Sequence, residues 1–216
     1  MPRRNWIILA VVIVAAAAGA AGYVLHAGDV ASAARADGDF TVTPHDMTQG
    51  NPRAKVVMIE YAAPICPHCA HFNATVMPLL KKNYIDNGKM LYVFRVFPLQ
   101  PADGVAEKLA RCMPKDKYFP FMDQLFANQK DWDPEYGVTD IRGALLAQAQ
   151  KQGMSESKFD ACVASTTEDA KINQQAQDAV DRYKLDHTPT VILNGTPQKD
   201  ASWDALKAAI DTALTK

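Results

Sequence analysis

The sequence lacks a charge excess of either sign, because 23 Lys and Arg face 24 Asp and Glu, for a formal net charge of −1. Phosphate binding needs a clustered excess of Lys and Arg, so a nucleic-acid-binding protein is disfavoured. Only 11 glycines and 13 prolines in 216 residues exclude a collagen-like or low-complexity chain. The sequence has no Gly-rich phosphate loop, Ser-His-Asp pattern or EF-hand loop. With 48% hydrophobic residues it is too apolar for a disordered chain. The length suits one domain, or one domain with a large insertion.

One long uncharged run is present, from Trp6 to Leu25. At 1.5 Å per residue this run reaches about 30 Å as a helix, the hydrocarbon thickness of a bilayer. Small residues typical of signal-peptide cleavage follow within residues 31–36. The run therefore predicts either an uncleaved membrane anchor or a cleaved signal.

The charges beside this run indicate where the rest of the chain lies. Arg3 and Arg4 precede it, so the positive-inside rule sends the following residues across the membrane. We expect residues 1–25 to be the anchor or signal segment and residues 26–38 to be a linker. The folded part would then lie in the periplasm, either tethered to the inner membrane by residues 6–25 or soluble after cleavage.

The chain has four cysteines, an even number that suggests disulfides in an oxidising compartment. Two of them form a Cys-Pro-His-Cys motif at residues 66–69. Residues 54–61 predict a buried strand before the motif, and residues 89–97 predict a second one after it. Between the two strands, apolar residues recur with helical spacing after Cys66. A βαβ unit with a cysteine pair at the start of its helix is typical of a redox motif.

The place of this pair favours a reactive thiolate. The N–H groups and partial positive charge of a helix N-terminus stabilise the anion of Cys66, and His68 can add a positive or hydrogen-bonding partner. Both effects lower the pKa of the thiol. Since a low-pKa thiolate is a good leaving group, the disulfide with Cys69 would be a strong oxidant. A structural disulfide, a zinc site and haem attachment are the alternatives, and the last lacks a His directly after Cys69.

A second landmark lies near the C-terminus. Residues 190–193 predict a short strand, and Asn194-Gly195 predicts a tight hairpin turn. Pro189 stands directly before this strand, where its missing N–H costs no ladder hydrogen bond. The residues alone favour an ordinary trans peptide bond at this proline.

Together these motifs resemble the DsbA-like branch of the thioredoxin superfamily. The likeness is carried by four groups of residues: Glu60-Tyr61, Cys66-Pro67-His68-Cys69, Thr188-Pro189-Thr190-Val191 and Asn194-Gly195. It extends from about Asp39 to Lys216 and implies an α/β protein of thioredoxin fold. Such a fold has a mixed central sheet with flanking helices and an inserted all-helical domain. We accordingly expect residues 39–97 to form the first half of the fold, residues 98–186 the helical domain, and residues 187–216 the second half.

The resemblance also implies roles for individual residues. The Cys-Pro-His-Cys motif, with Pro67 and His68, would be the catalytic centre, and Pro189 would be a cis-proline that packs beside it and binds extended substrate. Glu60 matches a buried acid beneath the second cysteine and would relay a proton; a surface glutamate on an edge strand is the alternative. Thr188 would contact the cysteine sulfurs and the substrate. Because the best-known oxidases of this family carry Val there, oxidation and isomerisation both stay open.

The segment between the two halves is helical by pattern and holds the other two cysteines. Cys112 shares an apolar face with Leu109, and Cys162 lies three residues after Phe159. In an oxidising compartment these positions favour a disulfide between Cys112 and Cys162, with two buried free thiols as the alternative. A second, structural disulfide in the helical domain also resembles that of some DsbA-like proteins.

The function expected from this resemblance is a periplasmic thiol:disulfide oxidoreductase that introduces disulfides into exported proteins through Cys66 and Cys69. No cofactor or metal is expected, and the chain should act as a monomer. Its partners would be unfolded or reduced exported proteins and a DsbB-like, quinone-linked membrane protein that reoxidises it. Pro64 and Ile65 are expected to be exposed apolar contacts for substrate. The alternatives are an isomerase or reductase on the same fold and, more distantly, a non-enzymatic metal-binding or chaperone module.

Overall fold

The computed structural model describes residues 41–216. The anchor or signal segment predicted at residues 1–25 and the linker at residues 26–38 lie outside the described residues. From residue 41 onward, no helix combines the length and the apolar character needed to cross a membrane.

The centre of the fold is a mixed five-stranded sheet with strand order β1-β3-β2-β4-β5. Its strands are β1 (Met47–Gly50), β2 (Val56–Ala62), β3 (Met90–Val96), β4 (Thr190–Leu193) and β5 (Thr196–Pro197). Strands β2 and β3 pair in parallel, and the other pairs are antiparallel. Every residue of β2 and β3 is buried, as expected for parallel strands covered on both faces. The two buried strands predicted from the sequence are confirmed.

The hairpin turn predicted at residues 194–195 is also confirmed. Asn194 and Gly195 both have positive φ, at 45° and 82°, the backbone that a tight hairpin turn requires and that Asn and Gly accept readily. Asn194 further fixes the register of the sheet, because its side-chain oxygen accepts a hydrogen bond from the N–H of Val57 at 2.7 Å. This contact holds the C-terminal hairpin against the central strand β2.

The helices that complete this half are α1 (Pro67–Thr75), α2 (Met77–Leu80), a π-helical turn (Lys81–Ile85) and a long helix near the C-terminus (Trp203–Thr215). The chain leaves the helix at Val76 because Pro78 has no N–H for the carbonyl one turn earlier. Pro78 instead occupies the first turn of α2, where no such hydrogen bond is needed.

Between β3 and β4 the chain is helical. The helices are α3 (Pro101–Cys112), α4 (Tyr118–Ala127), α5 (Ile141–Lys151), α6 (Glu156–Val163) and α7 (Thr166–Tyr183), with 3₁₀ turns at Lys115–Lys117, Gln129–Asp131 and Pro134–Tyr136. Because all of them precede β4, the long helix near the C-terminus is α8. The sequence predicts Thr166 or Thr167 as the cap of α7, but Ser165 caps it by accepting the N–H of Glu168. The helix ends at Tyr183 because Lys184 takes a left-handed conformation.

Cys112 and Cys162 are joined by a disulfide, with 2.04 Å between the sulfur atoms. Cys112 is the last residue of α3, and Cys162 lies in the last turn of α6. Cys162 is buried and Cys112 is partly buried. The bond therefore ties together two helices of the segment between β3 and β4.

Candidate active site

The Cys66–Cys69 pair lies at the start of α1, directly after the central strand β2. Cys66 is the N-cap residue in an extended conformation, and Pro67 takes the first helical position, where a proline ring fits the helix. Both cysteines are free thiols, with Cys69 fully buried and Cys66 6% exposed. The predicted position of the pair at a helix start is confirmed.

The Cys66 thiol ionises easily in this setting. Its pKa is lowered to about 5, chiefly because the Cys69 thiol hydrogen-bonds to its sulfur. The Thr188 hydroxyl and the backbone N–H groups of Cys69 and His68 lower it further, while burial acts in the opposite direction. The His68 side chain is exposed, and its backbone N–H supplies the contact to the sulfur.

Cys69 behaves in the opposite way. Burial raises the pKa of its thiol far above the ordinary value. Its hydrogen bond to Cys66 and the negative charges of Glu60 and Cys66 raise this pKa further. Cys66 is therefore the sulfur that ionises readily, and Cys69 is the sulfur that keeps its proton.

Glu60 lies in the sheet beneath this pair. It is only 2% exposed, and its strand β2 has neighbours on both sides, so the alternative of an edge-strand surface glutamate is wrong. The Tyr92 hydroxyl on β3 donates to Glu60 Oε2 at 2.6 Å. Burial raises the pKa of Glu60 to about 7, although the hydrogen bond from Tyr92 opposes this shift. A carboxyl group with this pKa can both take up and release a proton near neutral pH.

The loop before β4 closes the site from the other side. The peptide bond between Thr188 and Pro189 is cis, as the family resemblance implies and contrary to what the residues alone favour. In the dithiol form the Cys66 thiol donates to the Thr188 carbonyl at 3.5 Å. The Thr188 hydroxyl is buried and has no hydrogen-bond partner of normal geometry among residues 41–216. It is therefore available to the sulfur once Cys66 ionises.

The expectation that Pro64 and Ile65 are exposed is wrong, because both are buried and Ile65 is only 1% exposed. The loop turns inward here, and the side chain of Ile65 joins the apolar core. The outer surface beside the cysteines is formed instead by exposed Pro67 and His68 and partly exposed Pro189.

Three residues of the site have no signal in the motifs. Tyr92 contacts Glu60, while Asp103 and Gln129 hydrogen-bond to the backbone just before the cysteine pair. Asp103 follows Gln100 by three residues, a spacing that suggests only a helix cap. Gln129 lies in a 3₁₀ turn, 65 residues from its partner Pro64, and its sequence context carries no motif.

A paired thiolate and buried thiol at a helix start, above a buried acid and beside a cis-proline, define the class of a DsbA-like protein-disulfide oxidoreductase. The chain belongs to the thioredoxin family, since the family model described as "Thioredoxin" matches residues 42–212.

Individual relatives agree with this assignment. A Rickettsia conorii protein and a Rickettsia bellii protein, both provisionally named protein-disulfide oxidoreductases, are 33% and 30% identical to this chain. Each alignment covers 81% of this chain, but 62% of the first protein and 67% of the second. The chain thus spans about two thirds of the length of these relatives. The crystal structure of Wolbachia pipientis alpha-DsbA1 matches with a TM-score of 0.75 at 28% identity, covering 82% of this chain and 94% of that chain.

Proposed function

We propose that this protein is a periplasmic thiol:disulfide oxidoreductase that donates the Cys66–Cys69 disulfide to exported proteins. The observation that carries the proposal is the opposite behaviour of the two thiols, with the pKa of Cys66 lowered to about 5 and that of Cys69 raised. A stabilised Cys66 thiolate favours the reduced pair, so its disulfide readily accepts electrons. This stabilisation of the reduced form is roughly 2 kcal/mol at pH 7, and it is lost as the pH falls through the pKa of Cys66.

The reaction begins with the oxidised pair. A substrate thiolate attacks Cys66 Sγ, the bond between Cys66 and Cys69 breaks, and Cys69 leaves with the electron pair. Protonated Glu60 supplies the proton that Cys69 then holds. A second substrate thiolate attacks the substrate sulfur of the mixed disulfide and expels Cys66 as its thiolate. The substrate has lost two electrons, and the enzyme is left as the reduced pair.

The cis-proline loop is the proposed binding site for the substrate backbone. Pro189 is partly exposed beside the cysteines, and the neighbouring Thr188 carbonyl lies within 3.5 Å of Cys66 Sγ. A substrate cysteine that reaches Cys66 must pass this loop, together with exposed Pro67 and His68. Bound in this way, the substrate would be held by its backbone, which suits a broad range of unfolded proteins.

The surroundings of the enzyme are part of the proposal. The N-terminal run at residues 6–25 supports export, with the enzyme either tethered to the inner membrane or soluble after cleavage. A DsbB-like, quinone-linked membrane protein would take the two electrons and restore the disulfide. The enzyme would act as a monomer on reduced exported proteins.

The second candidate is an isomerase or reductase that uses the same pair. The observation that favours it is the Thr188 hydroxyl beside Cys66, in the place where the best-known oxidases carry Val. An isomerase must release substrate from Cys66 quickly. The contacts of the Thr188 side chain with the Cys66 sulfur therefore affect both disulfide donation and isomerisation.

Two measurements test the proposal. The protein is equilibrated with glutathione buffers, and a strongly oxidising pair is expected, whereas a potential as reducing as that of thioredoxin would overturn disulfide donation. The oxidised protein is also mixed with reduced, unfolded ribonuclease, which should gain disulfides at the rate at which the pair is reduced. The Cys66→Ala variant should be inactive. Efficient reshuffling of scrambled ribonuclease by the reduced protein, without net oxidation, would favour the isomerase.

A further inference from the structure

Two buried side chains from the helical segment hold the backbone that leads into Cys66. Asp103, in the first turn of α3, is fully buried and accepts the N–H of Ile65 on Oδ1 at 2.9 Å. Its other oxygen, Oδ2, accepts the N–H groups of Leu99 and Gln100 at 2.9 and 3.0 Å. One carboxyl group therefore joins the start of α3 to the loop before the cysteines.

Gln129 makes the second connection. It is 6% exposed, and its Nε2 donates to the carbonyl of Pro64 at 2.8 Å and to the carbonyl of Cys66 at 3.1 Å. A carboxamide nitrogen has two hydrogens, so both carbonyls can be satisfied at once. The side chain bridges the loop on either side of Ile65.

These bonds complete the hydrogen bonding of a buried stretch of backbone. Within the loop itself, the Cys66 N–H donates to the Ala63 carbonyl, and the Cys66 carbonyl accepts the N–H of Ala70 in α1. The Ile65 N–H and the Pro64 carbonyl find their partners on Asp103 and Gln129. Unpaired, these buried groups would carry a substantial desolvation cost, and the loop would rearrange to find other partners.

We propose that Asp103 and Gln129 are positioning residues of the redox site, which fix the backbone of residues 64–66 so that Cys66 Sγ stays at the first turn of α1. The inference rests on the proposed function and deepens it. Neither residue contacts the reacting sulfurs, so both act through the backbone that they hold. The helical segment thereby supplies part of the precision of the thioredoxin-fold half. In this way the helical segment would also influence how readily the Cys66 thiol ionises.

The chemical consequence follows from the contacts of Cys66. The N–H groups of His68 and Cys69 stabilise its thiolate only when the sulfur faces the helix start. Cys66 is the N-cap residue, with φ of −69° and ψ of 120°, so a rotation of the preceding peptide carries its side chain away from these groups. Loss of the Gln129 bridge should therefore make the thiolate less stable and the disulfide less oxidising.

The test uses Gln129→Met, which keeps the length of the side chain and removes both donated hydrogen bonds. The matched control is Gln148→Met. Gln148 is also a buried glutamine of the helical segment, but among the described residues its side chain accepts hydrogen bonds from Gln124 and Lys151 rather than bonding to the active-site loop. Thiolate absorbance of the reduced proteins is followed against pH, together with the glutathione equilibrium and the thermal midpoint.

We expect Gln129→Met to lower the thiolate fraction at pH 4 about threefold to tenfold, the equivalent of one hydrogen bond. The glutathione equilibrium should shift by a similar factor toward the disulfide. Gln148→Met should lower the thermal midpoint and leave both readouts at the wild-type value. Equal thiolate curves for Gln129→Met and wild type would overturn the role of Gln129. Should Gln129→Met not fold, Gln129→Asn gives the same readout, because its amide is one methylene too short for both carbonyls.

The role of Asp103 is tested by Asp103→Asn. The amide nitrogen of Asn cannot accept a hydrogen bond, so at least one N–H group that bonds to Asp103 loses its partner. Burial raises the pKa of Asp103 to about 6, so at pH 4 the substitution removes little negative charge, and loosening of the loop should lower the Cys66 thiolate fraction. A lower thiolate fraction than wild type supports positioning by Asp103, and an equal or higher fraction overturns it. An ordinary thiol pKa in the wild-type protein would refute the proposed function itself, and is thus distinguishable from failure of this inference alone.

Discussion

The two cysteine pairs of this chain lie at opposite ends of their helices. Cys66 and Cys69 occupy the first turn of α1, where free N–H groups and the positive end of the helix dipole favour a thiolate. Cys112 is the last residue of α3 and Cys162 lies in the last turn of α6, where the negative end of the helix dipole disfavours a thiolate. Under the proposed function, the same side chain would serve disulfide exchange in one place and a lasting cross-link in the other.

Separation along the chain adds to this difference. The redox pair spans one helical turn, so opening it releases little chain freedom. The other pair spans a sequence separation of 50, so its disulfide restricts the unfolded chain far more. Under the proposed function, helix position and loop length, more than the cysteines themselves, would decide which disulfide is exchanged and which is kept.

Breaking each cysteine pair in a separate variant should produce the largest effects, on activity in one variant and on stability in the other. Cys66→Ala should abolish oxidation of reduced ribonuclease, with little change in stability relative to the reduced wild type at pH 4, where the Cys66 thiolate no longer contributes. Cys112→Ala combined with Cys162→Ala should leave the oxidation rate within about twofold while lowering the free energy of unfolding by about 2–4 kcal/mol. Activity assays and urea unfolding of both variants measure this. A large loss of activity without the Cys112–Cys162 bond would contradict the separation of roles.

Glu60→Gln tests the buried carboxyl group that lies beside the redox pair. The raised pKa of Glu60, about 7, means that its favourable contribution to stability is present below its ordinary pKa and lost as the pH rises through about 7. Relative to wild type, Glu60→Gln should therefore gain about 3 kcal/mol of unfolding free energy between pH 4.5 and pH 8. Urea unfolding across this range provides the measurement, and a stability difference that does not change with pH would show that Glu60 titrates normally.

Thr188→Val tests the hydroxyl beside Cys66. Because this hydroxyl lowers the pKa of Cys66, its loss should shift the glutathione equilibrium about threefold toward the disulfide, the value of a modest hydrogen bond. Stability should change little, since in the described part of the chain this buried hydroxyl has no other hydrogen-bond partner. Thiolate absorbance and glutathione equilibration of the variant and wild type give the result. A more oxidising pair in Thr188→Val would reverse the assigned effect.

Tyr92→Phe tests the hydrogen bond that the Tyr92 hydroxyl donates to Glu60. The Tyr92 hydroxyl donates to the Glu60 carboxylate, so its loss should raise the pKa of Glu60 by the equivalent of about 1 kcal/mol. Side-chain carbon NMR of Glu60 across the pH range follows this directly. The Tyr84→Phe variant is the matched control, since it removes a hydroxyl that binds Asp211 away from the cysteines. A pKa of Glu60 that is equal in Tyr92→Phe and wild type would remove Tyr92 from the site.

Local patterns were sufficient for much of the fold and for the centre of the site. The β-branched runs predicted β2 and β3, and the cysteine motif predicted a helix start, because both signals act over a few neighbouring residues. The burial of Pro64 and Ile65 was missed, since two apolar residues in a connector do not indicate which way the loop turns. The sequence carries no signal for the contacts of Asp103 and Gln129, because these residues lie 38 and 65 positions from their partners in the loop before Cys66.

The sequence by itself determined the sheet-forming runs, the hairpin at Asn194-Gly195 and the place of the redox pair at a helix N-terminus. Each follows from spacing and backbone preference over a single turn or strand. Only the tertiary structure decided how the thiols divide their roles, that Glu60 is buried against Tyr92, and that Asp103 and Gln129 hold the loop before Cys66. These features depend on desolvation and on hydrogen bonds between residues far apart in the chain, which form only once the sheet is assembled and the helical segment packs against it.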